Sequence, residues 1–246
     1  MKNWKDNISF ILVEPREPGN IGASARALKN MGFSQLSLVN PVPISDETKW
    51  LAHNALDIIE AAPVHSALAD AIRDKAIVVG VTRRKGKKRG IIYNVDEGAK
   101  KIRELAASSK VALLFGREDR GLYNEEVEEC GFLVSIPASS EHPSLNLSQA
   151  ILIVAYELSR AEYRQPESGG KGKEELVTHD ELTTLYGRIT ETLRILEYFP
   201  LGDRDIEKKI MMNLKHFIGR AGITDWECKM LHGICTRIER KIKGLK

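Results

Sequence analysis

Short apolar runs that alternate with helical patterns constrain the fold of this chain more than any other feature. Each run has four to six residues and is apolar over most of its length. Strands that are apolar on both faces are typical of a parallel sheet that helices cover on both sides. We therefore predict an α/β fold with a mostly parallel sheet and helices on both faces. The predicted strands are residues 8–13, 36–39, 76–81, 111–115 and 132–136, and the predicted helices include 21–32, 96–107 and 145–162.

The composition changes in the last third of the chain. Residues 164–176 are rich in Gly, Lys and Glu, which is typical of a flexible linker. Beyond it the periodicity is helical, and the pairs Thr178–Glu181 and Thr224–Glu227 have the spacing of capping boxes at helix N-termini. The predicted units are an α/β domain over 1–163, a linker over 164–176 and a helical domain over 177–246.

Three apolar stripes predict three helices with a small core of their own in this last unit. Each stripe recurs every three or four residues, as one face of a helix does. The stripes are Leu182, Leu185, Tyr186, Ile189, Leu193 and Leu196; Ile206, Ile210, Leu214 and Phe217; and Trp226, Met230, Ile234 and Ile238.

Cysteine spacing, hydropathy and missing motifs restrict the class of protein. Cys130, Cys228 and Cys235 have no CxxC or metal-ligand spacing, which favours a reducing cytoplasm and predicts no metal site. The first residues lack the apolar run of a signal peptide, and no stretch of about 18 apolar residues follows, so we expect no membrane partner. The sequence also lacks GxGxxG after the first strand, a GKS or GKT phosphate loop and HExxH. A conventional dinucleotide-binding fold is therefore not predicted.

The charge distribution is more informative than the formal net charge of +3. Residues 83–89 hold six cations within seven positions. Such a run binds phosphates in some proteins and forms a solvated loop in others, so charge alone does not decide between the two.

Three segments that follow predicted strands hold the residues best placed for chemistry, because ligands bind at the carboxyl ends of strands in open α/β sheets. Residues 19–26 contain small side chains that allow a second backbone or a ligand to approach closely. Residues 113–122 end a strand on a glycine, and residues 136–148 join the last strand to its longest helix. Each also has a plain structural explanation: an exposed arginine on an amphipathic helix, a charged surface turn, and helix N-caps.

In order, content and separation, the three segments resemble the SPOUT superfamily, specifically the SpoU/TrmH class of RNA ribose methyltransferases. The motifs are NIGASAR, LLFGREDRGL and IPASSEHPSLNLSQA, and the resemblance spans residues 7–160. The plain explanations account for each motif singly but not for their joint occurrence. The last segment, with HFIGRAGITDWECKMLHGICTRIERK, is similar to the C-terminal region of TrmJ-like tRNA methyltransferases. Members of that family methylate the ribose of nucleotide 32 in the tRNA anticodon loop.

The resemblance implies a deep trefoil knot in the α/β domain, S-adenosylmethionine as cofactor, tRNA as substrate, and a homodimer whose active site draws residues from both subunits. The implied catalytic residues are Arg26, Asn20, Glu118, Ser144 and Asn146. The implied cofactor contacts are Gly80, Val81, Thr82, Gly116, Ile136, Pro143, Ser144 and Leu145. The implied RNA contacts are Arg26, Arg83, Arg84, Lys85, Lys87, Lys88 and Arg89.

The resemblance gives the role of general base to Arg26, but the chemistry leaves two roles open. A guanidinium with an ordinary pKa above about 12 is a poor base at neutral pH. Either the site makes this guanidinium more acidic, or Arg26 stabilises the developing alkoxide while another group accepts the proton. The sulfonium supplies the methyl group, so no metal is required.

Other functions remain as alternatives. One is a knotted RNA-binding protein without turnover, and another is a methyltransferase for a base nitrogen. A third is a ribose methyltransferase for another tRNA position or for rRNA. The retained motif residues favour an enzyme, and Arg26 favours a ribose target, because a nucleobase nitrogen is itself the nucleophile and needs no activated hydroxyl.

Overall fold

A computed structural model describes residues 3–83, 90–141, 144–160, 175–199 and 204–244, and it contains one sheet of seven parallel strands in the order β3-β2-β1-β6-β4-β7-β5. The strands are β1 (Ile8–Val13), β2 (Leu36–Val39), β3 (Val64–His65), β4 (Ile77–Val81), β5 (Ile92–Asn94), β6 (Val111–Phe115) and β7 (Phe132–Ser135). The five predicted strands are present to within one residue at each end. The strands β3 and β5 were not predicted, because two and three residues are too few to show a periodicity.

Ten α-helices lie in the described residues. They are α1 (Pro18–Asn30), α2 (Asp46–Ala52), α3 (Leu56–Ala61), α4 (Leu68–Ile72), α5 (Val95–Ala106), α6 (Asn124–Glu128), α7 (Leu147–Arg160), α8 (His179–Ile195), α9 (Arg204–Gly219) and α10 (Asp225–Ile242). Short 3₁₀ turns at Trp4–Asn7 and His53–Ala55 complete the set. In the same described ranges, none of the helices is long and apolar enough to cross a membrane.

Alternate residues of the central strands pack into two cores on opposite faces of the sheet. Phe10 and Leu113 belong to the larger core with side chains of α1, α5 and α7. Their neighbours Ile11 and Leu114 belong to the second core, which side chains of α4 and α6 complete. Because successive side chains of a strand point to opposite faces, a run that is apolar throughout requires both cores. The predicted α/β class, with helices on both faces of a parallel sheet, is confirmed.

The helices α8–α10 form a third, smaller core of their own, around Leu185, Ile218 and Cys228. Both predicted capping boxes are present, at Thr178–Glu181 and at Thr224–Glu227.

The predicted burial was wrong for most of the third stripe and for one residue of the second, in which Leu214 does pack against the small core. In α10, Trp226, Met230 and Ile234 are 69%, 42% and 48% exposed, and the buried side chains are Cys228 and Cys235. In α9, Phe217 is exposed and its neighbour Ile218 is buried. In the first stripe, Leu182, Leu185 and Tyr186 are buried as predicted, whereas Leu196, after the last turn of α8, is exposed. The error arises because two weakly apolar faces compete on each of these helices, and only tertiary packing selects the face that is buried.

All strands are parallel, so their ends define two edges of the sheet. We call these the carboxyl edge, at Val81, Phe115 and Ser135, and the amino edge, at Ile77, Val111 and Phe132. The three motif segments begin at the carboxyl edge, whereas α8–α10 pack against the amino edge.

Candidate active site

A cleft at the carboxyl edge collects most of the residues predicted to bind a cofactor. Its walls come from the ends of β4 and β6, the loop between β6 and α6, and the segment between β7 and α7. Six predicted cofactor residues line it: Val81, Thr82, Gly116, Ile136, Ser144 and Leu145. Arg83, the first residue of the basic run, also lines the cleft.

Other predicted residues lie elsewhere or outside the described ranges. Gly80 is absent from the cleft walls, and a Cβ built on it would lie 2.7 Å from Leu133 Cδ2 and 3.0 Å from Cys130 Sγ. Gly80 therefore faces the second core, where the side chains of Leu133 and Cys130 pack over it. Pro143 and residues 84–89 fall outside the part of the chain that the structure describes.

The loop after β6 folds back on itself, which explains its two glycines. A Cβ on Gly116 would lie 2.2 Å from the carbonyl carbon of Gly121 and 2.3 Å from the nitrogen of Leu122. Gly121 has a φ of +66°, a conformation that L side chains rarely adopt. Its amide donates to the Arg117 carbonyl at 2.7 Å and closes the turn. The turn thereby places backbone groups along one wall of the cleft.

Arg117 anchors this loop, and the sequence did not predict its role. Its side chain is 2% exposed and donates to Glu14 at the end of β1 at 2.9 Å and to both carboxylate oxygens of Glu126 at 2.9 and 3.0 Å. The guanidinium also lies 3.9 Å from the centre of the Tyr123 ring. Its hydrogen bond lowers the pKa of Glu14, and these partners together raise the pKa of Arg117 despite its burial. Nothing in the sequence distinguishes it from Arg120, whose side chain is 64% exposed in the same loop.

Glu118 binds the start of α1. Its carboxylate accepts from the backbone amides of Arg16 at 3.0 Å and Glu17 at 3.3 Å. It also accepts from Asn20 Nδ2 at 2.9 Å. Amides at a helix N-terminus lack helical acceptors, and a carboxylate there is favoured by the helix dipole. Glu118 thus ties the second motif segment to the first.

Asn20 and Asn146 continue the same series of hydrogen bonds. Asn146 Nδ2 donates to Asn20 Oδ1 at 2.8 Å, across 126 positions of sequence. Asn146 Oδ1 accepts from the amide of Ser148 at 2.8 Å and from its hydroxyl at 2.7 Å, which caps the start of α7. The structure therefore brings three predicted catalytic residues, Glu118, Asn20 and Asn146, into one network. Ser144, a fourth, is exposed on the cleft wall.

Arg26 is not part of this cleft. It is exposed and lines a separate depression with Lys29, Asn30 and residues 52–55. Since a helix rises about 1.5 Å per residue, Arg26 lies roughly 9 Å along α1 from Asn20.

Small residues of the first motif segment serve contact between helices. A Cβ on Gly22 would lie 2.1 Å from the carbonyl oxygen of Thr48, and one on Gly19 would lie 2.7 Å from Glu47 Oε1. These two glycines therefore let α2 pack directly on α1. They share a helical face with Arg26, which explains why Arg26 emerges beside the end of α2.

The comparisons with known proteins agree with this geometry. The model of the SpoU rRNA methylase family matches residues 7–156, which contain the whole cleft and its network. The chain belongs to the SpoU methylase family. The family resemblance of its motifs is thereby confirmed.

One curated relative and two solved structures are similar to this SpoU methylase. The tRNA (cytidine/uridine/adenosine-2′-O-)-methyltransferase TrmJ of Pseudomonas aeruginosa strain UCBPP-PA14 is 36% identical over 252 residues, which cover 98% of this chain and 96% of the relative. The crystal structure of TrmJ from Z. mobilis ZM4 has a TM-score of 0.76 at 28% identity and covers 94% of this chain and 98% of that one. The AdoMet-bound rRNA methyltransferase of Sinorhizobium meliloti has a TM-score of 0.50 at 27% identity, over 65% of this chain and 60% of that one.

Within the described part of this SpoU methylase, no group of three or more His, Cys, Asp or Glu side chains is arranged to hold a metal ion.

Proposed function

We propose that this chain transfers a methyl group from S-adenosylmethionine to a ribose 2′-hydroxyl of tRNA, most specifically at nucleotide 32 of the anticodon loop, in the cytoplasm. The observation that carries the proposal is the match to the P. aeruginosa TrmJ, which extends over 98% of this chain and includes the last three helices. TrmH-like enzymes share the three motifs but lack that last segment, so a full-length match favours tRNA and a TrmJ-like activity. The position within tRNA rests on the family resemblance.

The cleft fits S-adenosylmethionine. Apolar side chains of Ile136, Leu145 and Leu147 offer a surface for an adenine ring, and Thr82 and the backbone of the Gly116–Gly121 turn offer hydrogen-bonding groups. Gly116 is needed because the backbone of Gly121 and Leu122 fills the space that a side chain would take, and this keeps the turn compact on the cleft wall. When bound, the cofactor supplies an electrophilic methyl group on a sulfonium. The AdoMet-bound S. meliloti structure has the same fold and supports this assignment.

We also propose that the α/β domain contains the deep trefoil knot of its family. The strand order supports it, because β7 lies between β4 and β5 although these two strands follow each other along the chain. The chain that forms β7 therefore enters the sheet between two strands already joined by residues 82–91. Such threading is an exception among protein folds.

In this mechanism Glu118, Asn20 and Asn146 act as a rigid frame. Glu118 and Asn146 occupy both polar ends of the Asn20 amide, which fixes its orientation. Because Asn146 also caps α7, the frame joins the starts of α1 and α7. Ser144, two residues before Asn146 and on the cleft wall, is available to contact the ribose or a phosphate.

Arg26 is proposed to act in a homodimer, on the cleft of the other subunit. Its exposure and its separation from the cleft of its own chain support an action in trans. A planar guanidinium donates several hydrogen bonds and suits a developing alkoxide at the ribose oxygen. Either role, proton acceptor or alkoxide stabiliser, fits an Arg26 placed in this way.

The proposed domains are residues 1–163 and 177–246, joined by 164–176. The separate core of α8–α10 supports this division. The first domain would hold cofactor and catalytic residues, and the second would contribute to tRNA recognition. Arg83 at the cleft would contact RNA together with the rest of the basic run.

The test is methyl transfer from labelled S-adenosylmethionine to tRNA in the presence of a chelator. Mass spectrometry of nuclease fragments then locates the methyl group, and resistance of the neighbouring phosphodiester to alkali identifies a 2′-O-methyl ribose. We expect a ribose product in the anticodon loop and a normal rate with chelator. A base-methylated product, or tRNA binding without transfer by the purified protein, would contradict the proposal.

A further inference from the structure

The side of α10 that faces away from the small core is exposed along its length and combines apolar and cationic side chains. We call it the outward face, and it consists of Trp226, Lys229, Met230, Gly233, Ile234, Arg237, Arg240 and Lys241. With about 100° between successive residues, these eight positions fall within roughly 140° of the helical circumference. Trp226 is 69% exposed, which is unusual for so large an apolar side chain in a helix with a core to fill.

The acidic residues of the same helix lie at the margins of this face or on the opposite side, and each is engaged in hydrogen bonds. Glu227 accepts the amide and the hydroxyl of Thr224 in the capping box, at 2.7 and 3.0 Å. Glu239 accepts from Thr192 at 2.9 Å on α8. Asp225, at the margin, pairs with Lys229 at 2.6 Å. Acidic and basic residues alternate along the sequence of α10, but packing engages the acids and leaves Arg237, Arg240 and Lys241 together on the exposed side.

Gly233 lies in the middle of the outward face. A Cβ built on it would meet no atom within 4 Å, so nothing in the fold requires a glycine there. Glycine in a helix interior weakens the helix relative to alanine. A glycine without a packing reason, between a tryptophan and an arginine, leaves room for another molecule to approach the helix backbone.

We propose that the outward face of α10 binds unpaired nucleotides of the tRNA substrate. Trp226 stacks on a base, Arg237, Arg240 and Lys241 bind phosphates, and Gly233 admits the sugar-phosphate backbone. Aromatic side chains beside cations are how proteins commonly hold single-stranded RNA. The inference rests on the proposed function and names the surface that would recognise the substrate.

This surface is separate from the cleft of its own chain. The turn before α10 packs on the amino edge, where Gly222 would place a Cβ 3.1 Å from Ile77 Cδ1 and 2.4 Å from Leu176 Cδ1. The cleft is at the opposite edge of the sheet. The outward face is therefore expected to hold tRNA without touching the reacting atoms.

Charge complementarity favours RNA over a second copy of this chain. Two copies joined through the outward face would bring cations against cations, which opposes association. A stable protein interface also needs about 800 Å² from each partner, with few charges in its centre. A polyanion with exposed bases matches both the cations and the tryptophan.

The experiment compares four variants of the full chain with the unchanged protein. Trp226→Ala is expected to weaken tRNA binding about 5- to 100-fold, the range for loss of one stacked base. Trp226→Phe should retain most of the affinity. At saturating tRNA the kcat should stay within about twofold, as should the affinity for S-adenosylmethionine, so the loss appears in the KM for tRNA.

Gly233→Ala and Gly187→Ala form a matched pair. Gly187 lies inside α8 and is equally open, with no atom within 4 Å of a built Cβ. Both substitutions should raise the midpoint of thermal unfolding, because both replace a helical glycine by alanine. Only Gly233→Ala should weaken tRNA binding.

Two results would overturn the inference. One is an unchanged tRNA affinity of Trp226→Ala. The other is a change of oligomeric state in Trp226→Ala that accounts for the lost affinity, which would make a second copy the occupant. The unchanged protein distinguishes these failures from failure of the proposed function. If it methylates tRNA and Trp226→Ala has no effect, only the inference is removed. If the unchanged protein transfers no methyl group, the proposed function is removed.

Discussion

The two edges of the sheet are built in different ways. At the carboxyl edge the loops leave a cleft open, and neutral amides with one carboxylate link three distant segments. At the amino edge the helices α8–α10 close over the strand ends. There the backbones of Gly131 and Gly219 are so close that a Cβ on Gly131 would lie 2.1 Å from the carbonyl oxygen of Gly219.

Ion pairs hold the helices on the amino edge. Glu129 accepts from His179 on α8 at 2.9 Å and from Lys215 on α9 at 3.1 Å. The hydrogen bond from His179, with the positive charge of Lys215, lowers the pKa of Glu129 to about 2. Backbone bonds add to this contact, because the amide of His179 donates to the Lys75 carbonyl at 2.6 Å.

Under the proposed function, this difference would assign chemistry to the carboxyl edge of the sheet and recognition to the unit on the amino edge. The carboxyl edge needs open space and fixed polar groups, so its loops are held by internal hydrogen bonds. The amino edge has no such requirement and serves as the support for a second unit. Three experiments test this division, from the largest expected effect to the smallest.

Replacing Arg26 should have the largest effect, because the cleft at the carboxyl edge would then lack the guanidinium proposed to act at the ribose oxygen. Arg26→Ala is expected to reduce turnover about 100- to 10,000-fold, since positioned charge-stabilising or proton-transfer groups contribute that much. Affinity for S-adenosylmethionine should change little, because Arg26 does not line the cleft of its own chain. Single-turnover methylation and calorimetric cofactor binding measure the two quantities.

Mixing Arg26→Ala with Asn146→Ala distinguishes action in trans from action in cis. If Arg26 serves the partner subunit, dimers with one chain of each kind contain one intact site, and activity should return to about one quarter of normal after random exchange. No recovery after proven subunit exchange would place Arg26 in the site of its own chain.

The second experiment removes the buried charge that shapes the cleft loop. Arg117→Met should lower the free energy of unfolding by about 3 kcal/mol, because it leaves the carboxylates of Glu126 and Glu14 without their partner. It should also weaken cofactor binding by disordering the turn. Arg120→Met in the same loop is the control and should change stability by less than about 0.5 kcal/mol. Equal losses in the two variants would show that burial of Arg117 is not what holds the loop.

The third experiment tests the amino edge through its pH dependence. The folded pKa of Glu129 is about 2, below the ordinary 4.5, so its contribution is present above pH 4.5 and is lost as the pH falls towards 2. Glu129→Gln should therefore cost roughly 1–2 kcal/mol of unfolding free energy at pH 7, after allowance for solvent screening at a partly exposed group. Chemical denaturation should show that the difference in unfolding free energy between the variant and the unchanged protein is smaller at pH 3 than at pH 7. Glu128→Gln is the matched control, because the only ion pair of Glu128 among the described residues is a longer one, to Lys208 at 3.5 Å. An equal loss of stability in both variants would remove the special role of Glu129.

The sequence by itself determined the elements that depend on local pattern. The five longer strands, the capping boxes of α8 and α10 and the family motifs were predicted correctly, because period, capping residues and motif spacing are properties of neighbouring positions. The strands β3 and β5 were not predicted, since two or three residues acquire extended structure only from the strand beside them.

Only the tertiary structure decided which of several equivalent residues is buried and which distant groups meet. Arg117 and Arg120 are alike in sequence, yet one is enclosed by two carboxylates and the other is exposed, because only the first points at the end of β1. The outward face of α10 has the same origin: α8 covers Cys228 and Cys235 and leaves Trp226 exposed. The contact of Asn20 with Asn146 likewise depends on the order of strands in the sheet, because no local pattern encodes a separation of 126 residues.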